Sequence, residues 1–169
     1  THVTEWQSFY FDDANSFTYV SMTNMKKNYY GIELGLDFKL TSFLNFKTLG
    51  TWSEAKNANN ADVIYLNSTK STYNKDVVYN KGMHEASTPL SVYSAILSYH
   101  KGGWFIDLSG NYYDRIYLSY APGLRNGKTL RTMGTSLGGM DADGNYTPYA
   151  QSEGHGGFML DASIGKSLY

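Results

Sequence analysis

The stretch Tyr30–Leu40, YGIELGLDFKL, decides the fold class. Its even positions are Tyr30, Ile32, Leu34, Leu36, Phe38 and Leu40, all apolar. Its odd positions are Gly31, Glu33, Gly35, Asp37 and Lys39, all glycine or charged. Side chains alternate sides along a strand, so this pattern makes a strand with one oily face and one wet face. A soluble sheet and the wall of a membrane barrel both have such strands. The question is which solvent the oily face meets.

The same pattern recurs along the chain. Working outward, strands are expected at Thr4–Phe11, at Thr18–Leu40 with a break near Lys26–Lys27, and at Phe43–Ala55. Further strands are expected at Leu90–His100, at Trp104–Ser119 and from Phe158 onward. Residues 56–88 and 120–157 are polar, show no period and read as long loops. Connections therefore alternate between very short (41–42, 101–103) and very long. Compact domains rarely carry structureless loops above about 12–15 residues. Outer-membrane barrels do, pairing short periplasmic turns with long extracellular loops.

The oily faces also match in height. Tyr30 to Phe38, Leu44 to Trp52 (through Phe46, Thr48 and Gly50) and Trp104 to Tyr112 (through Ile106, Leu108 and Gly110) each span eight residues. Eight residues cover roughly 26 Å along a strand. A tilt of about 40° leaves roughly 20 Å of height, close to the roughly 25 Å apolar band of a barrel. Aromatic residues at the span ends suit interfacial girdles. Glu33, Asp37, Lys39, Lys47, Asp107 and Asp161 fall on the opposite parity, as do Tyr113 and Arg115 near the outer end.

Bulk properties agree without deciding. The chain has 169 residues, enough for one domain with a core. Its net charge is -1, which gives no nucleic-acid footprint. Cysteine is absent, excluding disulfides and thiolate metal sites. Tyrosine is abundant at 16 residues. Mean hydropathy is -0.42, a value that barrels share with soluble proteins because half of each strand faces water. No apolar run of about 18 residues exists for a membrane-spanning helix.

Motifs for catalysis or metal binding fail on spacing. GLRNGKT (Gly123–Thr129) has three residues between its glycines where a phosphate loop needs four, and no helix signal follows. IGKS (Ile164–Ser167) lacks the first glycine. DADGN (Asp141–Asn145) alternates carboxylates, but Tyr146 and Ser152 stand where a calcium loop needs glycine and glutamate. HEAST (His84–Thr88) lacks a second histidine. His2, His84, His100 and His155 show no ligand spacing. No serine sits in a nucleophile elbow. The expectation is a non-enzyme without catalytic residues, metal or cofactor.

EWQSFYFDD, NYYGIELGLDFKLTSFLNFKTLGTWSEAK, PLSVYSAILSYHKGGWFIDLSGNYYDRIYL and GGFMLDASIGKSL, in this order, resemble the C-terminal barrel region of TonB-dependent outer-membrane receptors. The resemblance implies an all-β chain: about six antiparallel strands of a 22-stranded transmembrane barrel. Residues 1–169 would form a partial barrel domain without the plug. It implies import of a glycan, peptide or chelate across the bacterial outer membrane. The partners would be the rest of the barrel and its plug, the TonB energising complex, a surface lipoprotein lid and membrane lipid, and no nucleic acid.

On this reading Tyr30, Ile32, Leu34, Leu36, Phe38, Trp52, Trp104, Ile106, Leu108 and Tyr112 face lipid. Glu33, Asp37, Lys39, Lys47, Asp107, Arg115 and Asp161 face the lumen. Tyr65, Tyr73, Tyr79, Tyr146 and Tyr149, on the long loops, are candidates to touch substrate, since a tyrosine offers ring area and a directional hydroxyl. They equally suit loops that pack on one another. Two alternatives stay open: a complete small barrel with a structural or adhesive role, and a soluble β-sandwich that binds carbohydrate.

Overall fold

The computed structural model describes residues 2–11, 17–70, 73–134, 139–146 and 150–168. Its elements are β1 (His2–Phe11), β2 (Phe17–Lys39), β3 (Leu44–Asn57), β4 (Ala61–Asn67), β5 (Tyr73–Val78), β6 (Ser91–Lys101) and β7 (Trp104–Asp114). They continue with β8 (Ile116–Tyr117), a 3-10 turn (Pro122–Leu124), α1 (Gly127–Met133), β9 (Glu153–Gly154) and β10 (Gly157–Lys166). Among the described residues, β1–β2, β2–β4, β3–β6, β4–β5, β6–β7, β7–β10 and β8–β9 pair antiparallel. The described residues form a predominantly β fold, and no closed barrel is found among them. The chain divides into two compact units, with β2 and β3 running through both.

One unit comprises Tyr30–Glu54, Ala86–Leu118 and Glu153–Tyr169. Its strand order is β10-β7-β6-β3-β2. Register keeps like with like. Phe46 opposes Leu97, which opposes Leu108, which opposes Ala162. Tyr93 opposes Tyr112, which opposes Phe158. The β6–β7 hairpin closes through Gly102 (φ +60°) and Gly103 (φ +79°), with Lys101 opposite Trp104. Two successive positive φ values make the tight primed turn that matches strand twist. Gly31 is required by close approach: a Cβ there would lie 2.7 Å from the carbonyl oxygen of Trp52 and 3.0 Å from Cα of Ser53.

The other unit comprises Thr1–Tyr29, Ala55–Glu85 and Ser119–Ser152. Here β2 pairs with β1 on one edge and with β4 on the other, and β4 pairs with β5. Its core is Val20, Met22, Met25, Ala61, Val63 and Val78, with Tyr65 and Tyr120 packed against it. Met22 and Met25 are both buried although their numbers differ in parity. A bulge explains this. The β1–β2 register slips between Thr4 and Trp6, and Asn24 adopts φ 55°. One extra residue flips the following side chains to the other face, so Met25 rejoins the core. The expected break near Lys26–Lys27 is thus a bulge at Asn24 within a single strand.

Segments expected to be loops carry structure. Within 56–88, β4 and β5 form a hairpin whose inward Ala61, Val63 and Val78 are buried. The period was short and flanked by Asn, Ser and Thr, so it stayed below the alternation seen elsewhere. Within 120–157, Asn126 caps α1 by accepting from the Thr129 amide at 2.8 Å, and Gly134 ends it at φ 68°. Both are ordinary helix-end signals. A helix of seven residues is too short to show a period.

Candidate functional site

The β10-β7-β6-β3-β2 sheet presents one continuous apolar face. It carries Tyr30, Ile32, Leu34, Leu36 and Phe38 of β2, Trp52 and Phe46 of β3 against Tyr30 and Phe38, and the residues in register with β3 on β6, β7 and β10. Of the ten positions expected on the oily side, nine are exposed: Tyr30, Ile32, Leu34, Leu36, Phe38, Trp52, Trp104, Leu108 and Tyr112. Ile106 is half-buried between its cross-strand partners Tyr99 and Ile164. Exposure reaches 73 % at Ile32, 69 % at Leu160 and 68 % at Ile164. Among the described residues no second layer covers these side chains. Their bare surface is on the order of 1,000 Å², against the roughly 300–600 Å² of the largest patch on a typical soluble monomer. Covering it is worth on the order of 25 kcal/mol at about 25 cal/mol per Å².

Aromatic rings mark both ends of that face. Tyr30 and Trp52 meet at 6.2 Å, and Tyr93 and Tyr112 stack at 6.3 Å. At the opposite end Phe38 stacks on Phe46 at 6.3 Å, and Lys166 reaches over Trp104 at 5.1 Å.

The reverse face holds Glu33, Asp37, Lys39, Lys47, Asp107 and Asp161, of which only Asp107 is half-buried and the rest are exposed. Asp37 and Lys47 pair at 3.5 Å, and His100 lies 3.7 Å from Asp107. Ser94 donates to Asn111 at 2.8 Å. This face is not wholly polar: Leu49, Ile96, Phe105 and Met159 are exposed on it, a feature the alternation in Tyr30–Leu40 did not announce.

Arg115 departs from its expected place. It follows the last residue of β7 with φ 59°, which turns its side chain away from the strand's parity. Its guanidinium lies over the Trp52 ring at 5.0 Å, donates to the Ser53 carbonyl at 2.9 Å and pairs with buried Glu54. Arg115 therefore sits with the Trp52 side of the sheet, where it supplies a counter-charge to the buried Glu54 carboxylate.

The loop tyrosines separate into different roles. Tyr79 and Tyr146 pack on each other at 5.1 Å, and buried Arg125 donates to the Tyr146 hydroxyl at 2.9 Å and to the Tyr79 carbonyl at 3.0 Å. Tyr73 is exposed beneath Lys75. The Tyr65 hydroxyl accepts from the Asn126 side chain at 3.0 Å and lines an open cleft of about 700 Å³. Tyr149 lies outside the described residues.

That cleft also holds Lys70, Lys75, Asp76 and Arg131, which no sequence motif marked, and Lys128 of the GLRNGKT stretch, whose spacing does not fit a phosphate loop. Asp76 Oδ1 accepts from the amides of Val77 (2.8 Å) and Gly127 (3.2 Å), and Oδ2 from that of Lys128 (2.9 Å). The carboxylate thereby pins the start of α1 to β5.

A second electrostatic group lies at Lys27, Tyr29 and Glu85. Lys27 Nζ donates to both Glu85 oxygens at 3.0 and 2.9 Å, and the Tyr29 hydroxyl donates at 3.0 Å. Burial pushes the Glu85 carboxyl up, but the Lys27 and Tyr29 hydrogen bonds outweigh it and hold the group below the usual carboxylate range. Burial pushes Tyr120 up.

The DADGN segment closes on itself. Asp141 accepts from the Asp143 and Asn145 amides at 3.0 and 2.8 Å and from the Asn145 side chain at 3.0 Å. No group of three metal-ligating side chains occurs among the described residues. Comparison with family models, curated proteins and solved structures returns no match.

Proposed function

We propose that this chain is part of a nutrient importer of the bacterial outer membrane, of the TonB-dependent receptor type. The strands β10-β7-β6-β3-β2 form a stretch of its barrel wall. The observation that carries the reading is the uncovered apolar face with aromatic ends, roughly 20 Å high after tilt. Lipid is the medium that covers such a face without a second protein layer. Backbone groups at the sheet edges need partners in hydrocarbon, and further strands of the same barrel supply them. Glu33, Asp37, Lys39, Lys47, Asp107 and Asp161 line the lumen and meet the plug or each other. The TonB complex supplies energy, and a surface lipoprotein serves as lid. The cargo is a glycan, peptide or chelate.

Fluorescence quenching tests the orientation. The protein carrying this chain is reconstituted in vesicles with lipids brominated at defined depths. Trp52 and Trp104, in single-tryptophan variants, are expected to be quenched most by bromine near the headgroups. A Leu34→Trp variant should be quenched most by bromine near the acyl termini. Equal, weak quenching at all three positions overturns the membrane reading.

A further inference from the structure

We infer that the cleft between β4, β5 and α1 binds an acidic oligosaccharide, a hydroxyl-rich chain bearing carboxylate or sulfate groups. The inference goes beyond the proposed transport role and does not rest on it, because the cleft lies within one compact unit and involves no lipid-facing residue.

Three features point to this ligand. The first is charge. Lys70, Lys75, Lys128 and Arg131 converge on the cleft, and among the described residues none of them has a carboxylate within ion-pair distance. Asp76, the single acid in the lining, is turned to backbone amides instead. Four cations against one engaged carboxylate leave a positive field over an open cavity, which concentrates anions.

The second feature is the chemistry of the walls. The remaining lining residues are Thr, Asn, Gly and a single aromatic, Tyr65, with no aliphatic side chain among them. An acidic peptide or a lipid chain needs apolar pockets for its side chains or tail. A sugar needs amides, hydroxyls and one ring to lie against; the lining offers the Asn74 amide, the Tyr65 ring, and the Asn67 and Thr129 side chains, which are held in place by bonds to Thr18, Thr69 and Gly123.

The third feature is preorganisation. Asn126 is fixed at both ends, its Oδ1 capping α1 through the Thr129 amide and its Nδ2 donating to Tyr65. Gly127 has no side chain to displace the Arg131 guanidinium, which would lie 3.4 Å from a Cβ at that position. A floor held in this way loses less freedom when a ligand arrives.

The test is calorimetric titration of the whole protein in detergent. Probes are oligogalacturonate and sulfated hexasaccharides, a neutral maltohexaose and a hexaglutamate peptide. Lipopolysaccharide micelles form a separate arm. Binding of the acidic saccharides at least tenfold tighter than the neutral one, weakened by added salt, supports the inference. The micelle arm then shows whether the acid sugars are best presented free or on a lipid. The K128Q/R131Q variant should lose at least tenfold in affinity with an unchanged melting temperature. Should that variant fail to fold, K70Q/K75Q on the strand side gives the same readout. Equal binding of neutral and acidic saccharides, preference for hexaglutamate, no binding at millimolar ligand, or unchanged affinity in the variants overturns it. The quenching experiment has an independent outcome, so either idea can fail alone.

Discussion

Replacing Leu34 with arginine separates lipid from water as the medium of the apolar face. Leu34 stands midway between Tyr30 and Phe38 on that face and is 60 % exposed. Four residues on each side place it about 13 Å along the strand from either aromatic. At a tilt of about 40° that is roughly 10 Å of depth, near the middle of the apolar band. An arginine at such a depth on a barrel costs about 2–4 kcal/mol, and one near the interface about 0–1 kcal/mol. Leu40, past the lower aromatics and 55 % exposed, supplies the interfacial control. Ser163 of β10, exposed on the reverse face opposite Asp107, supplies the aqueous control.

The assay is reversible denaturant unfolding of the protein in phospholipid vesicles. Leu34→Arg is expected to shift the folding constant by roughly 30- to 800-fold. Leu40→Arg should shift it by less than roughly fivefold. Ser163→Arg should be within about 0.5 kcal/mol of the parent, as for an ordinary surface change. If Leu34→Arg also falls within about 0.5 kcal/mol, water touches Leu34 and the lipid argument is refuted.

Two further changes probe the other compact unit. Glu85→Gln removes the acceptor for Lys27 and Tyr29 and should cost about 1 kcal/mol near neutral pH. Because the Glu85 carboxyl is held below its ordinary value, its contribution is complete above about pH 5 and fades as pH falls through the depressed value. Melting curves of parent and variant should therefore converge on acidification, and a constant gap from pH 6 to 3 would sink this assignment. Asn80→Leu should cost about 1–3 kcal/mol by denaturant titration. Asn80 is fully buried, accepts from the Ala61 amide at 3.2 Å and donates to half-buried Tyr120 at 2.7 Å, so the change strands the buried Ala61 amide and takes one partner from the Tyr120 hydroxyl. A loss below about 0.5 kcal/mol would mean that water replaces the side chain there.

How much of this protein was legible from its residues differs between its two units. In the sheet built on Tyr30–Leu40, period-two alternation and aromatic strand ends announce the apolar face, while Leu49, Ile96, Phe105 and Met159 break the pattern on the reverse one. The two-residue turn at Gly102–Gly103 is equally local. In the other unit the local signal weakens. β4 and β5 are seven and six residues long, and α1 is seven. Such elements are stabilised by contacts with distant residues more than by their own pattern. Val63 on β4 opposes Met22 on β2, and Asn126 meets Tyr65 across 61 positions of sequence.

Side-chain alternation is a covalent property of extended backbone, so the sequence alone determined that strands here have an oily and a wet side. Only the tertiary structure decided three other things. A bulge at Asn24 puts Met25 with Met22 in one core. A positive φ carries Arg115 to the Trp52 side of the sheet. Folding also gathers Lys70, Lys75, Lys128 and Arg131 around one cleft. Each depends on a backbone irregularity or on chain segments that meet only after folding, and neither leaves a period in the sequence.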